Sequence, residues 1–492
     1  MTHSPSRAGT PERDARFLGQ PLGLSVLFAT ELWERFSFYG MRALLPLFLA
    51  TSAAQGGLGY SDAQSASTYA IYNALVYLAA LPGGFIADRL IGARRAVLWG
   101  GLTIAAGHFT MAVPGTLFFF LGLLLIMLGT GLLKPNISAM VGQLYAHDDT
   151  RRDAGFSLFY MGINLGAFLA PLVCGYLGQK INWHLGFAAA GVGMLLGLAW
   201  YVLGGRHLGQ AGLQPGNPLA AHERAPLARQ VALGVLAVLV AGALLRVFLP
   251  HINPIDVLTF VVFGATLWVF ANVLRGGRLN AEDRRRMTAF VWLFLASALF
   301  WMIYDQGGSL LGLFAEQKTN RTLLGFQFPA SWYQSLNPMF ILVFAPLFAA
   351  LWLRLGARQP STPVKFVYGL GGVGASFLLM GLAAHAASGG HLISPLWLVG
   401  VYLLQTLAEL TLSPTGLSVA TKLAPASLSG QMLGVWFLAT SVGNAIGAQV
   451  ARLSETLSPS GYFTVVGALA VAAAVVLLFG ARPIARLMGG VK

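Results

Sequence analysis

The sequence predicts an all-α polytopic membrane protein, and three observations carry that prediction. Of 492 residues, 56% are hydrophobic and 10% charged, with a mean hydropathy of +0.69. A soluble domain has roughly 25% charged residues, so this chain lacks the charge to cover a water-facing surface. Apolar runs of about 20 residues, the length that spans a bilayer as helix, follow one another along the chain. Lys and Arg gather in alternate gaps between those runs, as cytoplasmic loops require. A β-barrel would show alternating segments of about ten residues instead.

The runs resolve into fourteen helices: 21–51, 62–88, 93–113, 117–145, 153–179, 183–204, 230–250, 254–274, 286–314, 331–355, 363–386, 394–422, 427–452 and 461–481. With both termini cytoplasmic, the inside loops hold Arg89, Arg94, Arg95, Arg151, Arg152, Arg206, Arg224 and Arg229. They also hold Arg275, Arg278, Arg284, Arg285, Arg286, Arg354, Arg358, Lys365 and Lys422. Both tails agree, with Arg7, Arg13 and Arg16 at one end and Arg482, Arg486 and Lys492 at the other. Outside loops carry Lys180, Lys318 and Arg321 as exceptions. The net charge of +14 is therefore a topology signal. A nucleic-acid footprint would cluster on one soluble domain, which this sequence lacks.

The resulting division is a cytoplasmic tail at 1–20, a six-helix bundle at 21–204 and a linker at 205–229. Two inserted helices follow at 230–274, then a second six-helix bundle at 286–481 and a cytoplasmic tail at 482–492. No removable signal peptide is expected. "RLIGARR" (89–95) after the second helix is echoed by "LRLGARQ" (353–359) after the second helix of the last six. Parallel six-helix repeats are a transporter pattern in which substrate binds between the halves at mid-membrane. The single cysteine, Cys174, excludes an internal disulfide and any multi-cysteine metal site. Paired histidines at metal spacing and a G-x-S-x-G elbow are both missing, so an enzyme is not expected.

Charges inside apolar runs are costly, and they mark cavities or partners. The first run holds Glu31, Glu34 and Arg35, whose i, i+3, i+4 spacing shares one helix face, with Tyr39 a turn beyond Arg35. "LGTGLLKPN" carries Lys134 after two glycines, Gly129 and Gly131, that allow close packing. "FWMIYDQGGS" carries Asp305, and "LLQTLAELTLSPTGLS" carries Glu409 a turn before a Ser413-Pro414 break. Tyr72, Tyr77, Tyr160, Asn164 and Asn337 add hydrogen-bonding groups. Acids come from both halves and fixed cations from the first, which suits a ligand with a carboxylate at one end and an ammonium at the other. His108 reads as a satisfied packing histidine, and Arg42 and Arg246 as cations reaching for the outer surface.

"ELWERFSFYG" resembles the E-x-x-E-R-F-x-Y-Y motif of the proton-dependent oligopeptide transporter family, a branch of the major facilitator superfamily. "GGFIADRLIGARR", "GTGLLKPNIS", "FYMGINLGAFLAPLV", "FWMIYDQGGS", "FPASWYQSLNPMFI" and "ELTLSPTGLS" are similar to further family segments, so the resemblance covers about residues 21 to 445. It implies the major facilitator fold, two six-helix bundles plus two extra helices of the prokaryotic type. It implies proton-coupled symport of di- and tripeptides by alternating access in the cell (inner) membrane. No cofactor is expected, protons are the coupling ion, and the protein is expected to be a monomer in the lipid bilayer. A carrier of another small metabolite, such as nitrate or an amino-acid derivative, is the alternative, although nitrate carriers often lose the glutamate motif that is intact here.

Position by position, the resemblance implies that Glu31, Glu34 and Arg35 form a proton-linked cluster with Lys134 as partner. Arg35 and Lys134 would hold the peptide carboxylate, and Glu409 its amino terminus. Asn164 and Asn337 would bind the peptide backbone or termini. Tyr39 and Tyr77 would line the pocket, with Trp301 and Trp436 as side-chain contacts. Asp305 would be a proton site and gate, pairing with an arginine such as Arg42. Two departures stand out: Phe38 replaces one tyrosine of the family's pair, and the acid at Asp305 is a glutamate in several relatives. Helix two has no histidine, so coupling is expected to rest on carboxylates.

Overall fold

The computed structural model describes residues 15–146, 149–249, 251–276, 280–424 and 429–490. Arg7, Arg13, Arg278 and Lys492, counted toward the orientation, lie outside the described residues, as do the side chains of Arg246 and Arg275.

Fifteen α-helices appear among the described residues, and fourteen of them are 19 residues or longer. Each of those fourteen overlaps one predicted segment. The first half contains α1 (Leu22–Ala50), α2 (Asp62–Ile86), α3 (Ala93–Met111), α4 (Thr116–Gln143), α5 (Arg152–Tyr176) and α6 (Trp183–Gly204). Then come α7 (Ala221–Phe248) and α8 (Pro254–Gly276). The second half contains α9 (Ala281–Tyr304), the short α10 (Leu310–Lys318), α11 (Leu336–Leu355), α12 (Thr362–Ala386), α13 (Leu396–Lys422), α14 (Ser429–Val450) and α15 (Pro459–Leu487). Among the described residues, ten helical segments are long and apolar enough to cross a membrane by length and composition. Helix α1 falls outside that set because Glu31, Glu34, Arg35 and Arg42 crowd its length.

Two predicted segments differ from the observed elements, and one observed element was not predicted. The run 286–314 is not one helix: α9 stops at Tyr304, a 3-10 turn spans Asp305–Gly308, and α10 resumes at Leu310. The paired glycines Gly307 and Gly308 have weak helix propensity, and the broken helix puts Asp305 at the break. The linker expected at 205–229 is shorter, since α7 begins at Ala221, where the Glu223 carboxylate accepts from the Ala220 N–H (2.9 Å). An acid in the first turn complements the positive end of the helix dipole, so the helix starts there although Pro226 lies inside it. A two-stranded hairpin, β1 (Thr322–Leu323) with β2 (Phe326–Gln327), lies in the loop after α10 and was not expected. It turns at Leu324 and Gly325, both at positive φ.

Packing explains the small residues. A Cβ on Gly131 of α4 would sit 2.6 Å from the Ala79 carbonyl oxygen of α2, so only glycine lets these helices touch. The echoed loops share a positive φ at glycine, Gly92 (φ +81°) and Gly356 (φ +49°), which favours that residue, but not one turn, since ψ is 152° at the first and -119° at the second. Apolar side chains of α1 to α6 form two cores, and those of α8 to α15 form a third, which Leu47, Ala66, Ala70, Ile71 and Ala74 from the first half join.

Hydrogen bonds between the halves collect at the end of the bundle that bears the α1–α2 loop and the hairpin. Ser67 Oγ donates to the Ala448 carbonyl (2.7 Å) and Ser441 Oγ to that of Ala74 (2.6 Å), joining α2 to α14. Trp332 Nε1 donates to the Leu172 carbonyl (3.1 Å) and Ser335 Oγ to that of Phe168 (2.8 Å), joining α11 and its leading turn to α5. No comparable packing joins α4 or α5 to α13 or α14 among the described residues. The halves are tied at one end, while at the other α4 and α5 stand apart from α13 and α14, although Leu81 of α2 still packs on the second-half core.

Candidate functional site

Helix α1 positions three charges by its pitch alone. Arg35 Nε lies 3.1 Å from Glu31 Oε1, one turn back, and also donates to Glu34 Oε2. All three side chains are almost wholly buried. The pairing is incomplete, however. Glu31 Oε2, Glu34 Oε1 and Arg35 Nη2 have no hydrogen-bond partner among the described residues. Buried polar groups are normally satisfied, so these atoms are unspent capacity for a proton or for an anionic ligand. The guanidinium also sits 5.4 Å from the centre of the Phe38 ring. Phe38 thus keeps the ring's cation–π contact with Arg35 while lacking the phenol hydroxyl.

Lys134 reaches the same region from α4, with Arg35, Tyr39, Glu34 and Glu31 as its ionisable neighbours. The expected ion pair with this cluster is not formed among the described residues. Its ammonium lies 4.2 Å from the centre of the Tyr77 ring instead. The physical reason is that Arg35 already engages both carboxylates, which leaves the ring face as the nearest negative surface.

Two turns further along α1, Arg42 corrects the expectation that it reaches for the surface. Its Nη2 is 2.6 Å from Asp305 Oδ1, at the α9 break, and its Nε donates to Tyr69 Oη on α2. Asn444 Nδ2 on α14 donates to the other Asp305 oxygen (2.6 Å). Arg42 and Asp305 are 9% and 4% exposed, so this is a buried pair tying the first half to the second. Asn444 and Tyr69 were not expected at the site. Their signal is weak, a lone amide and a tyrosine in apolar runs.

Glu409, on α13, accepts from two donors at one oxygen: Tyr304 Oη (2.5 Å) and Asn337 Nδ2 (3.0 Å). Asn337 also donates to Thr406 Oγ1 (3.0 Å). Tyr160, on α5 of the first half, has Glu409 within electrostatic range, and Tyr77 has Asp305, Arg42, Arg35 and Glu409 around it. Tyr39 faces Arg42, Tyr77, Arg35 and Lys134. Groups from both halves thus converge on one interface. Tyr160 is 43% exposed in mid-helix.

The remaining expected residues divide. Asn164 is buried near this interface, and its amide donates to the Tyr160 carbonyl one turn back (3.0 Å). Trp301 is half-buried and meets Tyr304 edge-on, with ring centres 5.2 Å apart. Trp436 is spent on the core: it is 5% exposed, with Phe290 at 5.8 Å and Phe366 at 6.1 Å between ring centres. In this conformation it is a packing residue of the second half. His108 is fully buried as expected, but neither ring nitrogen has a partner among the described residues, so it is not satisfied. A separate cleft of about 440 Å³ at the shut end, lined by Thr51, Gln55, Gln179 and Glu316 among others, contains none of these groups.

Comparison with known proteins places this geometry. The sequence profile of the POT family matches residues 94–466. The chain is 44% identical to the "Uncharacterized transporter YclF" of Bacillus subtilis (strain 168), over 96% of each chain. It is 42% identical to the "Di-/tripeptide transporter" of Lactococcus lactis subsp. cremoris, over 97% of this chain and 98% of the other. Among solved structures it is similar to a crystal structure of the peptide transporter POT in complex with sulfate, with TM-score 0.91 and 44% identity over 96% of this chain and 97% of that one.

Proposed function

The chain belongs to the POT family and has its major facilitator fold, and from that premise we propose that it is a membrane symporter that imports di- and tripeptides with protons. The observation that carries the reading is the convergence of Arg35, Lys134 and Arg42 from one half with Asp305 and Glu409 from the other. Such a site is polarised. Arg35 Nη2 and the Lys134 ammonium offer an anion site in the first half, and the Glu409 carboxylate a cation site in the second. A zwitterionic peptide spans the two.

Coupling follows from shared partners. Arg35 is engaged by Glu31 and Glu34, so a peptide carboxylate must compete with them. A proton on Glu34 removes that competitor and frees the guanidinium. At the other pair, a proton on Asp305 removes the charge that holds Arg42 and loosens the shut end. Peptide and proton then favour each other, a reciprocal coupling. Each proton moved inward gains about 2.3 kcal/mol per 100 mV of membrane potential. With both termini cytoplasmic, the shut end is the outer one and the parted end opens inward. The two six-helix halves would rock about the site, with α7 and α8 as an added pair and protons as the only coupling ion. The protein would act as a monomer in the cell membrane.

The test is uptake of a labelled dipeptide into proteoliposomes under an inward proton gradient. Accumulation that collapses with a protonophore is expected. No gradient-dependent uptake across a panel of di- and tripeptides would remove the reading.

A further inference from the structure

One oxygen of Glu409 is already engaged, and its partner sits beside the gate. Tyr304 is the last residue of α9, and the next residue is Asp305. Tyr304 Oη donates to Glu409 Oε2 at 2.5 Å, while Asp305 holds Arg42 of α1 and Asn444 of α14. Two successive residues at a helix break therefore serve two different sites. Their Cα atoms are about 3.8 Å apart, so a displacement of Asp305 carries Tyr304 with it.

The hydroxyl is also aimed. The Tyr304 ring stacks on Phe300 at 5.4 Å and meets Trp301 edge-on at 5.2 Å. Its direction is set by α9 rather than by free rotation. A hydrogen bond to a carboxylate is among the stronger hydrogen bonds in proteins, and Asn337 already uses the same carboxylate oxygen. An incoming ammonium must compete with both donors for that oxygen, and it meets a carboxylate whose charge they already share.

We propose that Tyr304 is a positioning residue that holds Glu409 while the Arg42–Asp305 gate is shut and releases it when the gate opens. The inference rests on the reading of Glu409 as receptor for the peptide amine. With the outer end shut, the engaged carboxylate binds an ammonium weakly and lets the peptide leave by the open end. With the outer end open, the α9 tip has moved and Glu409 is exposed to a new peptide. The device needs no group beyond those in the chain.

The experiment uses the full-length protein in nanodiscs, without a gradient, and compares the affinities of dialanine and N-acetyl-dialanine. Tyr304→Phe keeps the ring packing and deletes one donor to a charged acceptor. Its affinity for dialanine should rise about ten-fold, with that for N-acetyl-dialanine unchanged. In proteoliposomes KM and kcat should fall together, because release becomes slow. In a Glu409→Gln background Tyr304→Phe should have no such effect, which separates the device from a general change in the fold. If wild type prefers dialanine but Tyr304→Phe leaves its affinity unchanged, lowers it, or shifts both ligands equally, the role of Tyr304 is overturned. If wild type binds the two ligands alike, the amine reading of Glu409 falls, and this inference falls with it.

Discussion

Replacing Asp305 with asparagine should open the shut end of the bundle. The substitution keeps the side-chain volume and imitates a protonated acid, but it deletes the charge that faces Arg42 at 2.6 Å. Both groups are nearly buried, so solvent screens the pair little. A hydrogen bond to a charged group contributes about 1.5–3 kcal/mol, and the neutral amide in Asp305→Asn retains only the weaker part of that. Taking about 2 kcal/mol as the loss shifts the shut-to-open equilibrium about thirty-fold toward open. Asn444 Nδ2, which donates to the second carboxylate oxygen at 2.6 Å, meets an NH₂ group or a neutral oxygen instead, and that adds to the shift. The assay is a spin-label distance across the shut end. Asp62→Cys and Gln317→Cys are suited to it, since their native side chains touch across the halves at 3.1 Å; Cys174→Ala supplies a background without other cysteines. Wild type should give a short distance, and Asp305→Asn a longer, majority population at the same pH. An unchanged short distance would refute the assignment of the Arg42–Asp305 pair as the gate.

Glu34→Gln should abolish gradient-driven uptake while peptide counterflow persists at least in part; unchanged driven uptake would exclude Glu34 from the proton path. Trp436→Ala should behave as a core truncation, costing about 3–5 kcal/mol of stability and lowering the melting temperature in detergent, with side-chain preference across a peptide panel unchanged. A selective change in that preference would return Trp436 to the pocket. Gly131→Val should prevent α4 from seating on α2, because its Cβ alone would lie 2.6 Å from a backbone oxygen; loss of monodisperse protein on size-exclusion chromatography is expected, and a normal yield would contradict the close contact.

Much of the site was legible because its residues are anomalies in an apolar chain. A carboxylate or guanidinium within a membrane-length run is costly, so Glu31, Glu34, Arg35, Lys134, Asp305 and Glu409 could be picked out without coordinates. Tyr69, Tyr304 and Asn444 could not. Tyrosine and asparagine are tolerated in such helices as packing or interface residues, and nothing local marks one as a gate partner. Trp436 shows the converse: a tryptophan near a site in the family pattern looks the same whether it faces the cavity or, as in this conformation, Phe290 and Phe366.

The amino-acid order by itself determined where the membrane helices lie, which loops carry the positive charge and which side chains are out of place in lipid. Those are local properties, set by hydrophobicity over about 20 residues and by helical pitch, as in the Glu31–Arg35 pair one turn apart. Tertiary structure decided the partners that no motif marks. Arg42 and Asp305, 263 positions apart, were expected to pair only through the family resemblance, and the bond of Tyr304 to Glu409 across 105 positions was not expected at all. Partner choice at such separations depends on how whole helices pack and on which competing charge arrives first, and no pattern within one segment records that.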